Sequence, residues 1–189
     1  MESRQSLRQK LRHTRQQLTT PQQVSAAQRL LEQARQSDLF NGCTSLALYV
    51  AQDGEIDPTL IAQAAWQNNI PLYLPVIDTT QTGVMAFHQW LPDSIMAANR
   101  FGIPEPQNTA EIAAQSLHTV LLPLVGFDTQ GNRLGMGGGF YDRAFAFTQS
   151  DSTTRLIGLA HECQKVPQLP CENWDIPLQG ILTDQGFYL

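Results

Sequence analysis

Cysteine is scarce in this chain. The three in 189 residues, Cys43, Cys163 and Cys171, are odd in number and far apart. No pair has Cys-x-x-Cys spacing, so neither a disulfide framework nor a thiolate zinc site is predicted. His13, His88, His118 and His161 show no metal-ligand spacing either. Long apolar runs are also missing, and nothing approaches the ~18–20 residues that a membrane span needs. The opening MESRQSLRQKLRHTRQQL lacks the apolar centre of a signal peptide. A cytoplasmic protein, with no membrane partner, is the expectation. Net charge is −5, so positive charge is too sparse for general nucleic-acid binding. No internal repeat or low-complexity linker divides the chain, and residues 1–189 read as a single domain.

Positive charge is concentrated where the chain starts. Arg4, Arg8, Lys10, Arg12 and Arg15 are five of the 12 basic residues, opposed there only by Glu2. Residues 3–18 have helical periodicity, with Leu7, Leu11 and Leu18 on one stripe and the arginines on a neighbouring face. A solvated basic face and a ligand-binding face are both open on this pattern. TTPQQ then restarts a helix, with Thr20 as the expected N-cap and Pro21 in the first turn, running to about Gln36. Strands are predicted at Thr44–Val50, Pro71–Ile77, Val84–Trp90, Thr119–Phe127, Arg155–His161 and Gly180–Thr183. Helices are predicted from Pro58 and from Tyr141 to about Gln149, and FGIPEPQN reads as loop. Strands alternating with helices imply a three-layer α/β/α fold around a mainly parallel sheet.

The most unusual stretch is GNRLGMGGGFYDR, Gly131 to Arg143. It holds five of the chain's 13 glycines, followed at once by an aromatic pair and an acid. Each glycine in place of alanine costs roughly 0.5–1 kcal/mol of ordered structure, so the segment serves something other than stability. It follows a buried strand and precedes a helix, where open α/β sheets form their ligand crevice. Close backbone approach to an anion is one reading; a flexible turn is the other. The segment has no Walker lysine, and counting from Gly135 puts Phe140 where a dinucleotide fingerprint needs glycine. Asp142 could simply start a helix and Asp175 cap a turn, while Glu55 could be an ordinary loop acid.

LPLVGFDTQGNRLGMGGGFYDR (Leu122 to Arg143) closely resembles the signature of the 5-formyltetrahydrofolate cyclo-ligase, or methenyltetrahydrofolate synthetase, family. The basic first helix, DGEIDP, FGIPEP and ENWDIPL extend the resemblance over nearly the whole chain, in order. It implies ring closure of 5-formyltetrahydrofolate to 5,10-methenyltetrahydrofolate, using ATP and Mg²⁺ and needing no protein nucleophile. It implies ATP contacts at Arg4, Arg8, Arg133, Leu134, Gly135, Met136, Gly137, Gly138, Gly139, Phe140 and Tyr141. Folate contacts are implied at Val50 and Glu55 and again at Met136 to Phe140, with Glu55 accepting hydrogen bonds from the pterin ring. Asp142 and Asp175 are the implied Mg²⁺ ligands, oxygen donors suited to a hard cation. A monomer is expected. Arg4 stands where the family often has Lys, and Met136 and Gly138 replace basic residues of some members. A phosphosugar isomerase-like enzyme and a binding regulator without turnover stay as alternatives, and the roles of Tyr141 and His161 stay open.

Overall fold

The computed structural model describes residues 2–78, 84–149 and 153–188. Four α-helices are present among them: α1 (Arg4–Gln16), α2 (Thr20–Gln36), α3 (Thr59–Gln67) and α4 (Phe140–Ala144). The strands are β1 (Leu46–Ala47), β2 (Leu72–Ile77), β3 (Met85–Gln89), β4 (Met96–Ala98), β5 (Pro104–Pro106), β6 (Glu111–Ile112), β7 (Thr119–Pro123), β8 (Gly126–Phe127), β9 (Arg133–Leu134), β10 (Arg155–Ala160), β11 (Gly180–Thr183) and β12 (Phe187–Tyr188).

The main sheet runs in the order β12-β11-β10-β7-β1-β2-β3-β6. Its five central strands, β11, β10, β7, β1 and β2, are parallel, and the outer ones pair antiparallel. Alternation along β7 shows how both faces become dry. Leu121 joins Leu30, Ile61 and Leu74 on the face covered by α2 and α3, whereas Val120 and Leu122 join Phe87, Phe145 and Ile181 on the other. The three-layer arrangement with a mainly parallel sheet is therefore present. From β1 the chain moves outward one way to β2 and later the other way to β7, β10 and β11. The carboxyl ends of β1 and β7 thus flank a topological switch point, the usual place for a ligand crevice.

Several local expectations need correction. Helix α2 starts a residue early: Thr19 is the N-cap, its backbone N–H bonded to the Gln22 side chain. The run Thr119–Phe127 is two strands, because Pro123 ends the ladder and the chain leaves the sheet. Beyond it, β8 folds back on β9 across a turn that the fully buried Asp128 carboxylate closes, accepting from Gln130 N, Asn132 N and Leu169 N. FGIPEPQN is not all loop. Pro104–Pro106 pairs with Met96–Ala98 in a two-stranded ribbon, where missing proline N–H groups are tolerated at an edge. After Ala144 the α-helix gives way to a 3₁₀ turn at Ala146–Gln149.

Candidate active site

Two loops and one helix build the site. After β1, the turn Gln52–Glu55 carries Asp53 at φ 53° and Gly54 at φ 74°, two left-handed residues in succession. Gly54 is required there, because a Cβ would lie 3.3 Å from Arg15 O and 3.4 Å from Gln16 Cα of α1. Opposite, the glycine loop runs from β9 into α4. Gly137 (φ 96°) and Gly139 (φ 63°) occupy backbone conformations that side chains disfavour. Helix α1 contacts both loops. Arg8 Nε donates to Gly135 O at 2.8 Å, while Arg12 Nε and Arg15 Nη2 donate to Asp53 Oδ2 at 2.8 and 2.9 Å.

Two cavities meet at the glycine loop. One, the polar cavity of about 660 Å³, carries the charges of Arg8 and Arg143 in a wall of mixed polarity that includes Gly137, Asn173 and Trp174. The other, of about 430 Å³, is mainly apolar, lined by Tyr49, Val50, Ile77, Phe101, Leu122 and Tyr141 together with the Glu55 carboxylate. Gly138, Gly139 and Asp142 line both, so the two spaces share one wall. Helix α4 has only five residues, leaving Arg8 and Arg143 as the main positive charge of the polar cavity. Arg143 Nη2 donates to Gly138 O at 2.7 Å and its guanidinium lies 5.5 Å from the Phe140 ring centroid. Among the described residues Arg8 makes no ion pair with a carboxylate.

The residues implied by the resemblance take up distinct positions. Gly137 lines the polar cavity alone; Arg133, Gly135, Met136, Phe140, Tyr141 and Asp175 line the apolar one. Leu134 reaches neither, being fully buried with Leu7 and Leu11 under α1. Arg133 is itself buried, donating to Asp142 Oδ1 and to Ile176 O. Arg4 stands behind the cavity wall, holding both oxygens of Asp175 at 2.5 and 3.0 Å. Tyr141 stacks on Phe145, its ring nearly parallel. His161 turns its Nε2 to Gly54 O at 3.2 Å and so supports the Gln52–Glu55 turn.

Burial is the largest influence on most ionisable groups here. It raises Glu55, and Arg15, 3.7 Å away, offsets part of the rise. It raises the Tyr49 and Tyr141 hydroxyls and lowers Arg133 and His161. Hydrogen bonding from Arg12 brings Asp53 down to about 2. Burial alone would raise Asp175, but hydrogen bonds from Arg4 and from Glu172 N hold it low. Asp142 and Asp175 flank Arg133, Asp142 in direct contact with it. Among the described residues no group of three or more Asp, Glu, His or Cys could hold a metal by itself. Two carboxylates suit Mg²⁺ by donor type, since it usually takes one or two and completes its shell with water and phosphate oxygens, though here Arg4 holds both oxygens of Asp175 and Arg133 one of Asp142.

Sequence reasoning placed Arg15 with the other arginines on a face beside the leucine stripe, yet it is fully buried. The signal was present: Leu7, Leu11 and Arg15 recur every four residues, so Arg15 lies on the buried stripe.

An α/β sheet whose switch point opens into a largely apolar compartment, with a second, arginine-bearing one across the glycine loop, has the arrangement of an enzyme-type ligand site. Residues 1–184 match the 5-formyltetrahydrofolate cyclo-ligase family. The 5-formyltetrahydrofolate cyclo-ligase of Haemophilus influenzae is 40% identical over 184 residues, 96% of this chain and 98% of its own. That of Escherichia coli is 35% identical over 175 residues, 92% and 96% of the respective chains. The NMR structure of 5,10-methenyltetrahydrofolate synthetase from Aquifex aeolicus shares the fold with TM-score 0.85 at 25% identity, covering 98% of this chain and 91% of the other. The chain belongs to the 5-formyltetrahydrofolate cyclo-ligase family.

Proposed function

We propose that this protein, acting as one monomeric domain in the cytoplasm, closes 5-formyltetrahydrofolate to 5,10-methenyltetrahydrofolate with consumption of ATP. The observation that carries the reading is the shared wall: a cavity with two arginines and a largely apolar cavity that includes the Glu55 carboxylate in its lining meet at the glycine loop. The triphosphate fits the first and the folate ring the second, bringing γ-phosphate and formyl group together over Gly138 and Gly139. The formyl oxygen attacks the γ-phosphorus and ADP leaves. Folate N10 then attacks the activated formyl carbon and gives up its proton, and the formyl oxygen departs as part of the phosphate, which takes up that proton.

The chain's own groups supply position and charge rather than a nucleophile. Arg8 and Arg143 balance phosphate charge, assisted from behind the wall by the Arg4 and Arg133 ion pairs. Val50 and Tyr141 bound the apolar compartment and keep water from the activated carbon. Glu55, as a carboxylate, accepts from pterin N–H groups. Asp142 and Asp175 would hold Mg²⁺, which when bound offsets charge on the phosphates.

Purified protein mixed with 5-formyltetrahydrofolate, ATP and Mg²⁺ tests this, with methenyl absorbance and ADP followed together. One ADP per methenyl product, with neither formed without the folate, is expected. Methenyl formation without ADP would favour an ATP-independent enzyme. ADP without product would mean another acceptor, and binding of both ligands without turnover would mean a regulator.

A further inference from the structure

Arg15 is a fully buried cation in a helix whose other arginines reach solvent or ion pairs at the surface. A buried guanidinium is costly unless nearly all of its donors are used, and here three different nitrogens find partners. Nε donates to Asp53 O at 2.9 Å, Nη2 to Asp53 Oδ2 at 2.9 Å, and Nη1 to Leu124 O at 3.1 Å. The same Nη2 lies 3.7 Å from Glu55 Oε1. Arg15 therefore joins α1, the turn after β1 and the exit of β7, the two strand ends that flank the switch point. Arginine suits this place as lysine does not, because its planar fork can serve several acceptors at fixed angles.

We propose that Arg15 is a positioning residue of the folate site, fixing the Gln52–Glu55 turn so that the Glu55 carboxylate stands at the apolar cavity. The proposal rests on the reading of Glu55 as the pterin contact. Helix α1 bears on the turn in three further ways. Gly54 leaves no room for a Cβ beside the helix backbone, Arg12 Nε also donates to Asp53 Oδ2, and Gln16 Nε2 donates to Asp53 Oδ1. Within the turn, Glu55 N donates to Gln52 O at 2.9 Å and Gln52 N to Glu55 Oε2 at 3.0 Å. Its residues are thus fixed to each other, and the arginine fixes them to the rest of the molecule.

The charges around Glu55 are known from each side. Arg15 and Arg12 face it from α1 and Asp53 from its own turn. Tyr49 and Tyr141 feel its charge across the cavity, and His161 sits against the Gly54 carbonyl. Arg15 opposes the effect of burial, so without its charge Glu55 takes up a proton at a higher pH than in the native protein. Folate binding would then weaken on the acid side earlier.

The test compares full-length Arg15→Lys, Arg15→Gln and Glu55→Gln with the unaltered protein, measuring both KM values across pH. Arg15→Gln is expected to raise the KM for 5-formyltetrahydrofolate about ten-fold, a loss on the order of one charge-assisted contact. Its KM for ATP should stay within about two-fold, and its acid limb should move to higher pH. Arg15→Lys keeps the charge without the fork, so it should lie between, and it carries the test if the glutamine variant fails to fold. Both KM values rising together, neither rising, or an unmoved acid limb would overturn the positioning role. Should Glu55→Gln itself leave the folate KM unchanged, the reading of Glu55 fails; if Glu55→Gln weakens folate and the Arg15 variants do not, only the inference about Arg15 fails.

Discussion

Gly139 shows most directly what the glycine loop requires of single residues. Its φ of 63° lies in the left-handed region, and a Cβ would stand 2.9 Å from Arg143 Nη1. Gly139→Ala should cost about 1–2 kcal/mol of backbone strain and displace the guanidinium that now bonds Gly138 O. In a chain of this size that lowers Tm by roughly 2–8 °C, and the KM for ATP should rise as well; calorimetry and kinetics showing no change would separate the loop from the polar cavity. Trp174 offers a second check. It is 66% exposed at that cavity's rim, whereas Trp66 and Trp90 pack edge-on to each other at 4.7 Å. A non-hydrolysable ATP analogue should quench tryptophan emission, and Trp174→Phe should remove most of the response. Quenching that persists in the variant would move the nucleotide elsewhere. For the metal, Asp142→Asn should raise the Mg²⁺ concentration at half-maximal rate. It also leaves buried Arg133 with a weaker partner, at a cost of about 1–3 kcal/mol, so a stability loss without a shifted Mg²⁺ titration would confine Asp142 to its ion pair.

Helix α1 was half legible in the sequence, and the division has a physical basis. Periodicity gave its extent and the burial of Leu7 and Leu11, since a 3.6-residue repeat is a local property. Which loops its arginines would meet depends on partners such as Gly135, Asp53 and Asp175, up to 171 residues away, and no local pattern encodes those. The motif resemblance supplied Arg4 and Arg8 but not Arg15. The β4–β5 ribbon was missed for a related reason: prolines signal a break in local structure, while an edge pairing that tolerates them is made between segments. The β8–β9 hairpin was hidden because Leu124 to Phe127 continues the apolar run of β7 after leaving its sheet. That hairpin seats α1. A Cβ at Gly126 would come within 2.4 Å of Leu11 Cδ1, so Gly126→Ala forces the Leu11 side chain out of its present seat and disturbs the packing of helix on hairpin. Overpacking of this kind costs typically about 1–3 kcal/mol, and because α1 touches both cavity loops, both KM values should rise together. A change in only one would mean that α1 bends rather than moves as a unit.

The protein's response to acid follows from how its carboxylates are used to fasten α1 to the sheet's crevice. Asp53 accepts from Arg12, Arg15 and Gln16, and Asp175 accepts from Arg4, so the helix is tied down near both ends by anions. Asp53 titrates at about 2 in the folded protein, chiefly because of its hydrogen bond with Arg12, against about 3.9 in an unfolded chain. A depressed carboxylate binds fewer protons folded than unfolded. Its stabilisation is therefore fully present above about pH 4–5 and is lost as pH falls through about 2. Asp175, also lowered, acts with the same sign. His161, lowered by burial, does so at higher pH, since folding must keep its ring neutral. Glu55, raised by burial, acts with the opposite sign, so Tm should fall from neutral pH downward less steeply at first, with the steepest part at the acid end. Asp53→Asn should lower Tm at neutral pH, where the anion is missed most, and flatten the curve between about pH 4 and pH 2, where the native carboxylate would otherwise be losing its charge. A variant whose Tm runs parallel to the native curve throughout would place the acid sensitivity elsewhere. A curve that flattens while folate binding weakens more than ATP binding would tie the acid sensitivity to the turn that presents Glu55.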